Sequence, residues 1–364
     1  MKAWRVYGPG GRVALEDLEV PHAKPGGVVV RMEAAPVLSY MRQVLDGSLG
    51  YAMQAQPFVP GTNGIGIVET VGAAVYHLRP GDRVILNPHY AVDERTANPA
   101  QLLIGLTAMR SSRAAAMPPE PLALQRDWPD GVFAEYAQLP AACMTRLAAL
   151  DEMPAERLAT LAKFVVPYGG FLRGAFEPGE IAIVNGASGY FGSAGVLVAL
   201  AMGAAAVVAA GRDSAALEAV AKAGGERVRP VALSGDAAAD TKALRDAAGG
   251  AAAFALDIVG RANNSASTLA TLRALRRGGR LVLMGSMTEP LPLTVGEMLS
   301  NDWSVTGNFM YPKDAPARLA AMVASGTLRL EPVTVQRFAL AALPAAMDAA
   351  ARMRALDATI LTMP

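Results

Sequence analysis

Cysteine is almost absent from this chain of 364 residues: Cys143 is the single one. One thiol cannot close an internal disulfide, which excludes a disulfide-stapled fold, and it cannot furnish a Cys-rich structural zinc site. Cys143 follows a strand-like run with no recognisable base beside it. It reads as a small buried hydrophobe rather than a nucleophile. Histidine is nearly as scarce. His22, His77 and His89 lie in loop-like segments without ligand spacing, and read as surface or hydrogen-bonding residues. Net charge is missing too: 33 Lys and Arg against 32 Asp and Glu leave no basic field to attract nucleic acid. The densest basic stretch, Arg273, Arg276, Arg277 and Arg280, reads as a helix C-terminus, where cations suit the dipole and Gly278-Gly279 end the helix. The apolar run 196–210 is Ala-rich, broken by Gly203, and short of the roughly 18–20 residues a membrane span needs. The opening residues show neither a long apolar core nor a cleavage site, so no signal peptide, no membrane partner and a cytoplasmic location are expected.

What is present is apolar. Hydrophobic residues make up 52% and charged residues 18%, a mix that buries a sizeable core and argues against disorder. The length suits two domains or one large one. Residues 1–145 read as strand and turn, with β-rich runs at 28–32, 65–71 and 84–86, punctuated by Gly and Pro in the manner of an irregular β domain. Residues 87–131 have weak periodicity and read as an insertion or lid. From 150 to 300 strands alternate with longer helices: strand 181–185, helix 193–202, strand 206–210, helix 214–223, strand 253–257, helix 267–277 and strand 280–284. That alternation predicts an α/β domain, a parallel sheet with helices on both faces. Beyond it come strand 304–307, helix 315–325, the run 332–338, helix 343–354 and strand 358–361, which could return to complete the first domain.

The sharpest motif is Gly186-Ala187-Ser188-Gly189-Tyr190-Phe191-Gly192, which follows an apolar strand and opens a helix. In that context Gly186 allows the tight turn, Gly189 lets the backbone approach a pyrophosphate, and Gly192 lets helix and strand pack closely. The helix N-terminus supplies free N–H groups for the phosphates. The second strand runs into Gly211-Arg212-Asp213. Arg212 takes the place that separates the two nicotinamide coenzymes, and a guanidinium there favours the 2′-phosphate of NADP(H) over NAD(H). The alternative is that Asp213 caps the next helix and Arg212 is simply solvated. Carboxyl ends of such strands face the ligand crevice, so Val259-Gly260 and Gly285-Ser286 are further coenzyme candidates.

These residues resemble the medium-chain dehydrogenase/reductase superfamily over nearly the whole chain. The resemblance is carried by residues 1–6, Pro60-Gly61-Thr62-Asn63-Gly64-Ile65-Gly66, Pro80-Gly81-Asp82-Arg83-Val84, Gly131-Val132-Phe133-Ala134-Glu135-Tyr136, the glycine-rich turn, Asp257-Ile258-Val259-Gly260 and Gly278-Gly279-Arg280. It implies a GroES-like, mostly-β catalytic domain over residues 1–150, completed by about 311–364, and a Rossmann dinucleotide-binding domain over 151–310. The coenzyme would lie in the cleft between them, and the family commonly forms dimers through the Rossmann sheet, here by the edge strand 304–307. The places that match the catalytic zinc ligands of the metal-dependent branch read Leu38, Thr62-Asn63 and the neighbourhood of Ala162-Lys163. None offers a thiolate or imidazole. On that ground the chain resembles the zinc-independent quinone reductase and enoyl reductase branch.

The resemblance implies a hydride transfer between NADP(H) and a conjugated, apolar carbonyl compound, with no zinc. Zinc-free alcohol or ketone chemistry and a non-catalytic dinucleotide sensor are the competing readings. Without a metal, donors must stabilise the charge that develops on substrate oxygen. Tyr40, in the segment that borders the family's active site, is either that donor or a packed aromatic. Asn63 either bonds substrate or coenzyme, or closes a turn before Gly64. Tyr168 matches a position near the nicotinamide. Asn308-Phe309 lie where the family lines the nicotinamide pocket, although Phe309 and Tyr311 also suit a subunit contact. Lys163 binds an anion or, more in keeping with lysine, is solvated.

Overall fold

The computed structural model describes every residue except 54–55, 93–94, 96–98, 109–117 and 261. The chain divides into two compact units. One comprises Met1–Ala162, Thr334–Met353 and Ala358–Pro364, and the other Lys163–Val333 with Arg354–Asp357.

The first unit is built of β-strands. A two-stranded ribbon pairs β1 (Lys2–Val6) with β2 (Val13–Asp17). Next come β3 (Gly27–Pro36), the short helix α1 (Met41–Leu45), β4 (Gly64–Val71) and β5 (Arg83–Leu86). The expected insertion holds a small sheet, β6 (His89–Ala91), β7 (Gln101–Leu103) and β8 (Thr107–Ala108), followed by α2 (Pro119–Asp127). The rest of that segment lies partly outside the described residues. After it run β9 (Tyr136–Pro140), β10 (Met144–Arg146) and α3 (Ala155–Leu158). Consecutive residues of β3 and β5 are buried: Val28, Val29 and Val30, and Val84, Ile85 and Leu86, are at most 1% exposed, as are Met32 and Ile65. Trp4 anchors this core and donates its indole N–H to the carbonyl of Leu340 at 2.7 Å. Cys143 is buried, as a small hydrophobe would be.

The second unit opens with α4 (Leu161–Arg173) and alternates strand and helix: β11 (Ile181–Asn185), α5 (Tyr190–Ala201), β12 (Ala206–Gly211), α6 (Ser214–Gly224), β13 (Val228–Ala232), α7 (Ala237–Ala248), β14 (Ala252–Asp257), α8 (Ala266–Arg273), β15 (Leu275–Leu283), α9 (Val295–Asn301), β16 (Ser304–Gly307) and α10 (Ala315–Ala324). All six strands are parallel, in the order β13-β12-β11-β14-β15-β16. The expected doubly wound sheet is present. Its central strands β12, β11 and β14 are nearly continuous apolar runs because both faces are covered by helices, and Ile183, Val208, Leu244, Leu272 and Leu281 interlock in one core. Each such side chain contributes about 1.5–3 kcal/mol on burial.

The last segment returns to the first unit. β17 (Thr334–Ala339) leads to α11 (Leu343–Ala351), and β18 (Asp357–Thr362) inserts between β3 and β17 in the order β10-β5-β4-β3-β18-β17.

Among the boundaries that differ from the sequence reading, two bear on the coenzyme unit. The helix expected from 193 begins at Tyr190, with Gly189 as its extended N-cap, so three residues assigned to the turn are helical. The helix expected over 267–277 ends at Arg273, and β15 begins at Leu275. Gly278-Gly279 therefore sit within the strand, beside a register shift, rather than ending a helix. The four arginines do not share one helix end. Arg273 pairs with Glu297 at 2.6 Å, Arg277 with Asp302 at 2.6 Å and Arg280 with Glu180 at 2.5 Å.

Candidate active site

The carboxyl ends of β11, β12, β14, β15 and β16 lie side by side, because Asn185 is in register with Ala210 and Asp257, and Leu283 with Asp257 and Gly307. The predicted coenzyme residues of the second unit gather along this edge. Gly186 has φ +91°, the left-handed region that favours glycine, and its N–H and that of Ala187 both bond Ala210 O, at 3.0 and 2.9 Å. The amides of Ser188, Tyr190, Phe191 and Gly192 have no acceptor among the described residues. They form an N-terminal set of donors suited to a pyrophosphate.

Close backbone approaches explain the other glycines. A Cβ on Gly192 would stand 2.0 Å from Gly186 O, one on Gly211 2.5 Å from Ser188 Oγ, and one on Gly285 2.0 Å from Val259 O. Ser286 Oγ donates to Gly260 O at 3.2 Å, tying two strand ends together. Asn308 hangs from Leu283 O by its backbone N–H at 3.0 Å and donates from Nδ2 to Met310 O at 2.9 Å. Phe309 beside it is 49% exposed. At the second strand's end Arg212 is exposed, while Asp213 caps α6 by accepting from Ala216 N at 3.0 Å.

Sequence reasoning missed a buried pair beneath the turn. Asp257 Oδ2 accepts from Asn185 Nδ2 at 2.8 Å, and its Oδ1 accepts from Val259 N at 3.1 Å. Burial pushes the Asp257 carboxyl above the usual carboxylate range. An acidic residue closing an apolar strand was the available signal.

The solvated reading of Lys163 is wrong. The residue is 0% exposed. Its ammonium donates to the carbonyls of Ala355 and Asp357 and stands 4.0 Å above the centre of the Tyr190 ring. Carbonyls and a π face replace the water it loses. Desolvation nonetheless pulls its pKa down to about 7, against a small opposing pull from Asp357. Ser193 Oγ also donates to Ala355 O. Burial raises the Tyr190 phenol above its ordinary range.

Tyr168, on α4, is 1% exposed, with the Arg318 guanidinium 5.5 Å from its ring centre. In the first unit Tyr40 stands partly buried at the N-cap of α1. Asn63, 8% exposed, precedes β4 and donates from Nδ2 to Leu86 O and Asn87 Oδ1, both at 3.3 Å. Thr62 is 3% exposed and its hydroxyl has no partner among the described residues.

A dinucleotide-binding parallel sheet joined to a β-rich unit defines a two-domain pyridine-nucleotide oxidoreductase. Comparison with known proteins gives the family. Residues 24–149 match the alcohol dehydrogenase GroES-like domain and residues 191–325 the zinc-binding dehydrogenase family. The chain belongs to the medium-chain dehydrogenase/reductase superfamily and is an enzyme. It is 28% identical over 337 residues to sorbitol dehydrogenase of Pongo abelii, covering 92% of this chain and 88% of that protein. It is 27% identical over 361 residues to a putative D-xylulose reductase of Rhizobium meliloti (strain 1021), covering 97% of each. Its fold matches the cobalt- and zinc-bound thermostable alcohol dehydrogenase of Pyrobaculum aerophilum with a TM-score of 0.75 at 21% identity, over 100% of this chain and 99% of that one.

These findings overturn the expectation of an NADP(H) enzyme that needs no zinc: the family matched over residues 191–325 is the zinc-binding dehydrogenases. They also remove the ground for placing the chain with quinone and enoyl reductases, since the relatives are named as sorbitol and xylulose enzymes. The sequence reading asked only for thiolates and imidazoles at three places, whereas zinc also takes carboxylate and water oxygen. Asp93 and Glu94 lie outside the described residues. Among the described residues no group of three His, Cys, Asp or Glu side chains could hold a metal, and Leu38, Thr62 and Asn63 make no ligand set. The residues described do not fit a zinc ion.

Proposed function

We propose that this enzyme interconverts a secondary alcohol, of the polyol type its relatives are named for, with the corresponding ketone, using a nicotinamide dinucleotide. The observation that carries the reading is the set of free amides opening α5 at the carboxyl edge of the parallel sheet. The reaction moves a hydride between the carbinol carbon and nicotinamide C4 and releases the hydroxyl proton. The coenzyme supplies that chemistry, and the chain supplies positioning and electrostatics. Tyr40 handles the proton, Asn63 holds substrate oxygen, and Tyr168 fixes the α4 side of the coenzyme unit. The test is coenzyme reduction, followed by its ultraviolet absorbance, with a polyol panel and with NAD⁺ and NADP⁺ in parallel. Quinone-dependent oxidation of reduced coenzyme forms the second arm. Turnover confined to quinones would overturn the alcohol reading, and turnover in neither arm would overturn both. Tyr40→Phe is expected to lower kcat by roughly 10²–10⁴-fold with little change in coenzyme affinity. A variant with unchanged kcat removes Tyr40 from the chemistry.

We also propose a homodimer through the edge strand β16, which among the described residues pairs only with β15. Val295 and Leu299, 76% and 69% exposed, lie one helical turn apart on α9 in the same unit. Light scattering is expected to show a dimer for the wild type and a monomer for the Val295→Lys/Leu299→Lys double variant. A dimer in both places the interface elsewhere.

A further inference from the structure

Asn63 and Asn87 stand side by side because β4 and β5 are antiparallel neighbours. Gly64 is the register partner of Leu86. The residue before the first and the residue after the second are therefore opposed. Asn63 Nδ2 lies 3.3 Å from Leu86 O. A main-chain carbonyl only accepts, so the atom facing it is the NH₂ and the amide can be turned only one way. The second hydrogen goes to Asn87 Oδ1. What remains is the carbonyl oxygen Oδ1, which no donor reaches among the described residues.

Asn63 is more than nine-tenths buried, and its neighbour Thr62 keeps an unpartnered buried hydroxyl. Buried polar atoms are nearly always paired, because an unpaired one gives up water for nothing. The Thr62 hydroxyl is one such atom, and beside the open oxygen of the largely buried Asn63 it marks a corner that a ligand completes. The frame around them is rigid. Asn87 N donates to Cys143 O at 2.8 Å, and Leu86 pairs with Met144 across the sheet.

We propose that Asn87 is a positioning residue that holds the Asn63 amide so that its oxygen accepts a hydrogen bond from a hydroxyl of the ligand, which makes this corner a reader of O–H donors. The inference rests on Asn63 handling substrate, as proposed above. An open acceptor discriminates by sign. A hydroxyl brings the proton the oxygen lacks, whereas a ketone or quinone oxygen brings only lone pairs. Thr62, which both donates and accepts, serves either kind of oxygen and adds no preference. Asn87 acts through Asn63: without its Oδ1, one amide hydrogen is left unpaired and the side chain is free to turn over.

The test uses the full chain and two small probes, 2,3-butanediol and 2,3-butanedione. The diol is measured with reduced coenzyme and the dione with oxidised coenzyme, dead-end pairs that cannot turn over. Dissociation constants come from saturation-transfer NMR. Asn63→Leu is expected to weaken the diol about tenfold and to leave the dione within about twofold. Asn87→Leu does the same to a lesser degree, and Asn87→Asp, which keeps the acceptor, restores diol binding. Equal weakening of both probes, or a diol indifferent to Asn63→Leu, overturns the proposal. Should Asn87→Leu melt far below the wild type, Asn63→Leu and Asn87→Asp decide. An enzyme that binds the diol in this pattern yet reduces neither coenzyme with any alcohol overturns the reaction proposed above and leaves this inference standing. Alcohol turnover indifferent to Asn63 does the reverse.

Discussion

Gly192→Ala is expected to destabilise the coenzyme unit by about 3 kcal/mol or more and to abolish coenzyme binding, whereas Gly189→Ala keeps the stability and loses only the binding. The added methyl at 192 meets Gly186 O at 2.0 Å and Gly186 C at 2.5 Å. Those are backbone atoms of the turn itself, so no rotamer change relieves the clash, and α5 must move away from β11. At Gly189 the nearest atom is Gly186 O at 3.2 Å, and the backbone is extended, with φ −95° and ψ 173°. Alanine adopts that conformation freely. Its methyl intrudes instead on the space that a pyrophosphate needs over the open amides, for an expected loss of at least about tenfold in affinity. Thermal melts and coenzyme titrations on both variants separate the two effects. Wild-type affinity in Gly189→Ala would show that the phosphates lie elsewhere.

Replacing Lys163 with methionine is expected to remove a pH dependence of stability between about pH 7 and pH 10.5. The ordinary lysine value is 10.5, and burial brings this one to about 7. Within that window the unfolded chain holds a proton that the folded chain has released, so stability rises with pH. The contribution is complete above the unfolded value and is lost as pH falls through the folded one. Each tenfold difference in proton affinity is worth about 1.4 kcal/mol, so the whole window amounts to about 4–5 kcal/mol. Urea denaturation of wild type and Lys163→Met across this range gives the difference directly and cancels every other titrating group. Parallel curves for the two proteins would mean that the ammonium stays charged.

Much of the fold is legible in the sequence because its signals are local. Short apolar strands with longer helices between them announce the parallel sheet, and the glycines at 186, 189 and 192 announce the turn. The errors arise where distant residues decide. Arg-Arg-Gly-Gly at 276–279 carries every local mark of a helix end, yet pairing with β14 draws Leu275 onward into a strand. Lysine is rarely buried, but Ala355 and Asp357 supply carbonyls 192 and 194 residues away along the chain. Asn87 carried no motif at all; it gains meaning only from the register that sets Gly64 opposite Leu86. Metal dependence was misjudged because ligand positions were matched one by one, while the family as a whole is recognisable only over the length of each domain.

The return of β18 to a place between β3 and β17 also orders events during synthesis. A ribosome delivers residues 163–333 before residues 357–362 exist, so the coenzyme unit has nearly all of its sheet while the first unit still waits for an inner strand. Until then the end of β3 from Ala34 to Pro36, which β9 does not cover, offers a bare edge to the cell, a template for unwanted pairing. Nascent chains halted before residue 357 should therefore gather chaperones at the N-terminal half, although that half left the exit tunnel first.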